Sequence, residues 1–476
     1  MIKYHLVTLG CQMNMSDSER VRAVLDGLGY IWTDKEEEAG LVGILACSVR
    51  QKAIDKVYNR ISKWNKWKDK RNLITFVSGC LLPADRDKFL KLFDLVFPMS
   101  ELNQFPDMIR QYGVVTPFGL EQEHSSEKEV IKKAQAIPDF VSPKKIEFNT
   151  GKKMSELNIH IEDFWDVEPN YASNFEAFIP IQNGCDKFCT FCAVPYTRGR
   201  EVSRSSEDIL NELKRIVDQG FKSITLLGQN VNSYGLDKGD EEISFTELLE
   251  KIGEYGNQSG KEFWLYFTSP HPRDMGEEVI EVISKYNCLA KQIHLPAQSG
   301  DDNVLIRMNR KHSVDKYWQI IHAIHKHIPQ ATIFTDIIVG FTGETDEQFQ
   351  NTLKLMEEVK FNMAYIAMYS PRPGAASSRW SNDIDQEIKK KRLHASSEVL
   401  RKHSLVYNKK LVGQSRKVLV KGQDRKEGYL SAYTEGRIVV RFKSTNTKQI
   451  GSFVDLKITS ATSLSIEGEL IETWKD

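Results

Sequence analysis

Cys185, Cys189 and Cys192 fall in one short run, Gly184-Cys185-Asp186-Lys187-Phe188-Cys189-Thr190-Phe191-Cys192. Whatever this chain folds into must gather those three thiolates around one group. The C-x-x-x-C-x-x-C spacing suits a cubane [4Fe–4S] cluster held at three of its irons. The fourth iron is then open to a small molecule, so such a cluster can do chemistry on a ligand as well as pass electrons. The rival is a structural zinc ion. Zinc favours C-x-x-C pairs and a closed set of four ligands, and the nearest candidates for the missing ligand, His160 and His271, are distant in sequence. A disulfide would leave one of the three cysteines over.

A second cysteine set lies in the N-terminal third, which reads as alternating strands and helices. Ile2–Leu9 is an apolar strand ending at Gly10-Cys11-Gln12-Met13-Asn14. Leu41–Ala46 is another, ending at Cys47. Leu73–Val77 is a third, ending at Ser78-Gly79-Cys80. Helical patterns between them predict a parallel sheet. Cys11, Cys47 and Cys80 therefore fall just past the carboxyl ends of strands, the edge where open α/β sheets bind ligands. Any one of them alone reads as a small buried apolar residue. Three at equivalent positions point to a second cluster, again with one open iron.

From about Phe175 the βα rhythm resumes with six apolar segments: Phe178–Gln182, Ser223–Leu227, Phe263–Phe267, Gln292–Leu295, Thr332–Val339 and Met363–Tyr369. Six βα units predict an open, incomplete barrel with its site at the carboxyl ends of the strands. Cys185 follows the first strand. Gly228-Gln229-Asn230, Pro270-His271-Pro272-Arg273, Pro296-Ala297-Gln298-Ser299-Gly300 and Gly340-Phe341-Thr342-Gly343-Glu344 follow the next four, so polar residues and glycines collect on that face.

The predicted division is an N-terminal α/β domain (1–115), a solvated linker with one short helix at most (116–174), the partial barrel (175–408) and a small β-barrel (409–476). The last is expected from short alternating strands at Arg416–Val420, Gly428–Tyr433, Ile438–Phe442, Phe453–Ile458 and Ser465–Leu470. The 476 residues carry 65 basic and 65 acidic side chains, so net charge names no partner. Its distribution does. Between Lys389 and Lys426, thirteen Lys and Arg residues are opposed only by Glu398 and Asp424. Such asymmetry suits a polyanion such as RNA, or a solvated helix face. Tyr429, Tyr433 and Phe442 are candidates either to stack on bases or to fill the barrel, with core the favoured place for Phe442. No apolar run reaches membrane-span length and no signal-peptide layout opens the chain, so a cytoplasmic protein is expected. Cys288 reads as a buried small residue, Trp64 and Trp67 as helix packing. His322, His325 and His327 read as a partly exposed helix end without a carboxylate beside them.

The motif C-x-x-x-C-x-aromatic-C, with Phe191 as the aromatic residue, resembles the signature of the radical S-adenosylmethionine (SAM) enzymes. Cys11-Gln12-Met13-Asn14, Cys47-Ser48-Val49-Arg50, Ser78-Gly79-Cys80, Val194-Pro195-Tyr196-Thr197-Arg198-Gly199, Leu227-Gly228-Gln229-Asn230-Val231 and Tyr369-Ser370-Pro371-Arg372-Pro373-Gly374 extend the likeness to the methylthiotransferases. The C-terminal strands resemble a TRAM domain. Leu45-Ala46 departs from the Asn-Thr more usual before Cys47. The closest likeness is to the bacterial tRNA branch, which modifies N6-isopentenyladenosine beside the anticodon.

That resemblance implies a transferase with two [4Fe–4S] clusters. SAM would chelate the open iron of the Cys185/Cys189/Cys192 cluster. One-electron cleavage would yield a 5′-deoxyadenosyl radical that takes hydrogen from C2 of the adenine. The Cys11/Cys47/Cys80 cluster would carry sulfur, and a second SAM per turnover would supply the methyl group. Phe191, Gln229, Asn230, Gln298, Ser299 and Glu344 are then expected around SAM, Gln229 and Asn230 at its methionine end and the last three at its ribose or adenine. It also implies tRNA as substrate, a flavodoxin- or ferredoxin-type reductant and a monomer. Two enzyme rivals are the branches that modify threonylcarbamoyl-adenosine or a ribosomal-protein aspartate. The non-enzyme rival is a zinc-bearing RNA-binding module.

Overall fold

The computed structural model describes residues 2–48, 51–112, 157–158 and 160–471. The chain forms an N-terminal α/β sheet, a six-stranded parallel half-barrel and a closed C-terminal β-barrel. The first sheet holds β1 (Lys3–Thr8), β2 (Ile31–Trp32), β3 (Leu41–Cys47), β4 (Ile74–Cys80) and β5 (Leu95–Val96) in the order β2-β1-β3-β4-β5, every pair parallel. All seven residues of β3 are buried. Its alternation splits them between two cores: Leu41 and Leu45 face one layer of helices, Val42, Ile44 and Ala46 the other. The two-residue strands β2 and β5 carry too little periodicity to be read from sequence.

Part of the run expected as linker is built into this domain. Ile161–Trp165 is a helix whose Ile161, Phe164 and Trp165 sit at i, i+3 and i+4 and bury against the first core. The acidic Glu121–Glu129 stretch, like Val49 and Arg50, lies outside the described residues.

The half-barrel is two three-stranded parallel sheets. β6 (Glu176–Pro180), β9 (Ser223–Leu227) and β10 (Trp264–Phe267) form one; β11 (Gln292–His294), β12 (Thr332–Val339) and β13 (Met363–Met368) form the other. The halves meet through Leu265 and Leu289: Leu265 donates its N–H to the Cys288 carbonyl at 2.7 Å and accepts from Ala290 at 2.9 Å. A two-stranded ribbon, β7 (Gln182–Asn183) with β8 (Val202–Ser203), flanks the cysteine loop after β6. Cys288 is buried near Ile252, in the barrel's own core.

The C-terminal barrel closes in the order β14-β15-β16-β18-β17, from β14 (Ser415–Gln423), β15 (Tyr429–Thr434), β16 (Val439–Lys443), β17 (Phe453–Ala461) and β18 (Ile466–Leu470). Phe442 is in its core. Its β15–β16 turn caps the amino ends of the half-barrel strands, opposite the cysteine loop. Arg437 lies over Tyr266 and Tyr433 at 3.8 and 4.4 Å, 3.5 Å from Glu176, and donates to Ser223 at 3.2 Å. Tyr433 is thus an interface residue, while Tyr429 carries Lys426 at 3.7 Å on its face.

The basic run of the tail is only partly a free surface. Lys389 is fully buried, bonded to Asp383 and the Tyr369 carbonyl. Arg392 is buried on Glu344 and Asp346, and Lys402 and Lys417 pair with Glu357 and Glu262. Partners absent from the local sequence arrive by tertiary packing, which a count of local charges misses.

Candidate functional site

Cys47 and Cys80 end adjacent strands and are register partners in the β3–β4 pair. Cys11 follows β1 and starts the helix Gln12–Gly27. Parallel strand order alone therefore brings the three to one edge. Asn14 sits at their centre: its side-chain amide donates to the Ala46 carbonyl at 2.7 Å, and its Oδ1 is 3.7 Å from the Cys11 sulfur and 3.6 Å from that of Cys80. Gly10 makes this approach possible. Its φ is +138°, and a Cβ there would stand 2.9 Å from the Cys47 Cβ. Cys11 is exposed; Cys47 and Cys80 are buried.

The second triad is held by one loop, strapped from behind. Thr190 donates its N–H to the Met308 carbonyl at 3.0 Å and its hydroxyl to the Arg307 carbonyl at 2.8 Å. Asn309 donates to the Phe188 carbonyl at 3.0 Å, and Ser377 to the Thr190 carbonyl at 2.9 Å. Lys187 is buried on Asp274 at 2.7 Å, and Asp274 in turn accepts from Asn230 at 3.1 Å. Arg310 points a guanidinium N–H at the Cys189 sulfur, 3.6 Å away, and donates to the Pro296 carbonyl at 2.9 Å. Arg310 escaped the sequence reading; only the structure shows it held between Asn309 and Lys311, both left-handed at φ 57° and 56°.

The two triads meet across the domain boundary. Arg198 ends the short helix Val194–Arg198 that follows Cys192. Its Nε–H donates to the Cys80 sulfur at 2.9 Å, one terminal nitrogen to Asn183 at 2.9 Å, and the other to Asp17. Arg372, from the loop after β13, donates to Gln51 at 2.9 Å; burial weighs against its charge more than nearby Cys47 favours it. A second buried ionic seam, Arg20–Glu212–Arg204, backs the same boundary.

The residues expected around SAM divide into two groups. Gln229 and Asn230 stand at the mouth after β9, and each keeps a buried amide oxygen without a partner. Phe191 packs edge-on to Phe341 at 6.5 Å. Gln298 holds a left-handed φ of 70° and bridges to β12 through its backbone. Ser299 and Glu344 are tied into the protein. The Ser299 hydroxyl meets Thr352 at 3.2 Å and the Asp301 N–H at 3.3 Å. Glu344 accepts from Gly340 at 2.7 Å and Arg392 at 2.6 Å, leaving its Oε1 buried and unpartnered. His271, singled out above only as a distant zinc candidate, adds a buried unpartnered Nε2 at this mouth. Burial, with Arg310 next in effect, holds it well below the usual imidazole range and so neutral.

Burial pushes the Cys185 and Cys192 thiols up to about 12, and Cys80 higher still. Each triad supplies three sulfur donors, the ligand set of an iron–sulfur cluster, and binding cationic iron would displace the protons that burial retains. The unpartnered atoms of Gln229, Asn230 and His271 fit a polar ligand beside it, since buried polar groups are otherwise almost always bonded. A single zinc ion fits less well. Tetrahedral zinc draws thiolates to about 3.8 Å from one another. Among the described residues, the only three potential ligands within 4.8 Å of each other are Glu277, Glu281 and His327. That grouping corrects the expectation for His327: Glu277, from the neighbouring helix Glu277–Lys285, reaches it at 2.7 Å.

Comparison with known proteins gives three family matches. Residues 179–356 match the Radical SAM superfamily, 3–98 the Uncharacterized protein family UPF0004, and 409–471 the TRAM domain. Among curated relatives, a protein of Clostridium perfringens is 36% identical over 98% of this chain and 97% of its own length. Proteins of Thermoanaerobacter pseudethanolicus and Vibrio campbellii are each 35% identical, over 98% and 100% of this chain and 93% of their own lengths. All three are named tRNA-2-methylthio-N(6)-dimethylallyladenosine synthase. Among solved structures, the cobalamin-dependent S-adenosylmethionine radical enzyme OxsB aligns at a TM-score of 0.48 and 13% identity, over 84% of this chain and 56% of that one.

Proposed function

The chain belongs to the tRNA-2-methylthio-N(6)-dimethylallyladenosine synthases, radical SAM methylthiotransferases, and on that premise we propose that its two cysteine triads hold two [4Fe–4S] clusters that act on one adenine. Membership makes it a transferase that uses SAM and a [4Fe–4S] cluster and acts on tRNA, which overturns the zinc-bearing, non-enzymatic rival. Cys185, Cys189 and Cys192 hold the SAM-binding cluster. Cys11, Cys47 and Cys80 would hold the second, whose chemistry would be the supply of sulfur for C2 of the N6-dimethylallyl (isopentenyl) adenosine beside the anticodon. Two SAM molecules serve each turnover.

The observation that carries this reading is the contact of Arg198 with Cys80. A residue six positions beyond Cys192 touches a ligand of the other triad, so one adenine presented at the barrel mouth lies within reach of both. When bound, cluster and SAM supply one-electron chemistry able to break a C–H bond that acid–base groups do not activate. The protein's own residues orient and shield. The Lys187–Asp274–Asn230 chain fixes the cysteine loop against the mouth. Neutral His271 and the free amide oxygens of Gln229 and Asn230 offer hydrogen-bonding positions to the polar end of SAM without adding charge. Phe191 and Phe341 keep water from the loop's apolar side. Among the described residues no helix is long and apolar enough to cross a membrane; the enzyme works in the cytoplasm, as a monomer, with a flavodoxin- or ferredoxin-type reductant.

Deletion of the gene, followed by mass spectrometry of tRNA nucleosides, tests the substrate. The expected result is loss of 2-methylthio-N6-isopentenyladenosine with accumulation of its unthiolated parent. Unchanged methylthio-adenosines would sink the reading, and loss of a methylthiolated threonylcarbamoyl-adenosine alone would redirect it.

A further inference from the structure

Arg198 is buried, and each nitrogen of its guanidinium has a partner. One edge meets Asp17 and Asn183; the remaining Nε–H ends on the sulfur of Cys80. Burial opposes its charge, but Asp17 and the Cys80 sulfur hold its pKa above the ordinary arginine value. Each partner is anchored in turn. Asp17 lies on the helix begun by Cys11. Asn183 donates back to the Arg198 carbonyl at 3.1 Å and to Asn158 at 2.8 Å. The other buried ionic seam at this boundary ends on oxygen: Arg20 pairs with Glu212 across it and donates to the Ser16 hydroxyl, while Arg204 braces Glu212 from within the barrel domain. It holds the domains together without touching a cysteine. Arg198 therefore does something the seam does not require.

We propose that Arg198 is a positioning residue for the N-terminal triad: a cross-domain N–H···S donor that holds Cys80 toward the barrel and eases reduction of the cluster on Cys11, Cys47 and Cys80. This rests on those three cysteines binding a cluster. Hydrogen bonds to cluster sulfurs stabilise the more negatively charged, reduced state, and outer partners of a metal ligand also fix its direction. Because the donor comes from the barrel, the electronic state of the first domain's cluster depends on how the second is docked. Lysine would keep the charge opposite Asp17 but lacks the planar fork that serves three acceptors at once.

The test uses the full chain carrying C185A, C189A and C192A, so that the N-terminal triad alone can load. After anaerobic reconstitution, about four irons and four sulfides per chain are expected. Reductive titration followed by electron paramagnetic resonance then compares this protein with versions also carrying R198M or R198K. The midpoint should move to more negative potential in R198M and by a smaller amount in R198K, at equal iron content. With 15N-labelled arginine, the Arg198-intact protein should show a nitrogen hyperfine coupling to the reduced cluster that R198K lacks. That coupling decides the matter even if R198M fails to fold. Iron at full content with unchanged midpoints and no arginine coupling overturns the role of Arg198. Absence of iron from the Arg198-intact protein overturns the cluster reading itself.

Discussion

The two cysteine triads are built in opposite ways. The barrel triad comes from one loop, and the rest of the molecule only braces it. The N-terminal triad comes from three strand ends more than thirty residues apart in sequence, and exists only because β1, β3 and β4 lie side by side. A loop-borne triad survives small shifts of its domain, since its spacing is written in the chain. A strand-borne triad is as good as its sheet. The difference suits the proposed roles: one site must grip SAM locally, the other must face it across a boundary.

The largest expected effect separates the triads by chemistry. Cys185→Ala and Cys80→Ala should each cut iron from about eight to about four per chain. Both should abolish methylthiolated product, but only Cys80→Ala should still release 5′-deoxyadenosine from SAM, measured by liquid chromatography with mass spectrometry. Equal deoxyadenosine from both would erase the division of labour. Next, Asp274→Asn leaves Lys187 buried without its counter-charge, a loss of about 3 kcal/mol. Iron should fall in the barrel cluster and stay whole in the other, read in proteins with one triad removed. Gly10→Ala should do the reverse, because a side chain at φ +138° against Cys47 costs about 1–3 kcal/mol.

The smallest effect lies on the boundary. Burial lifts the Glu19 carboxyl from its usual 4.5 to about 7, where it accepts from the Ala172 N–H at 3.1 Å. An acid whose folded pKa is raised holds its proton better folded than unfolded. Stability is therefore highest below pH 4.5, declines as pH rises to 7 and levels off above. Glu19→Gln should remove that decline, gaining about 1–3 kcal/mol relative to wild type at pH 8 and much less at pH 5. Denaturation midpoints at the two pH values check it.

Much of the architecture was legible because it is periodic. Strand β3 announces itself by a continuous apolar run and β9 and β12 by mostly apolar ones, and each closes on or just before a glycine or cysteine where function collects. A short helix was allowed in the linker, but the place of Ile161–Trp165 and its burial were not legible: three apolar residues amid polar ones become a signal only when a core stands opposite. The protein partners of Ser299 and Glu344 were not legible either: their place after a barrel strand suggested a ligand, and packing adds Thr352, Asp301 and Arg392 around them while one Glu344 oxygen stays unpartnered. Tyr433 shows the limit most clearly. Its alternation beside a basic segment suited to RNA says nothing of Arg437 folding back over it to seal the barrel floor.

By itself the sequence determined the barrel cysteine loop, the alternation of strands with helices and the strand ends at which Cys11, Cys47 and Cys80 emerge, because spacing and alternation are local and survive without partners. Only the tertiary structure decided that Arg198 lies on Cys80, that Arg310 stands behind Cys189 and that the C-terminal barrel sits beneath the strands rather than over the mouth. Those contacts join residues more than a hundred positions apart. Nothing local prefers them; they follow from the burial of charge and apolar surface once the domains have docked.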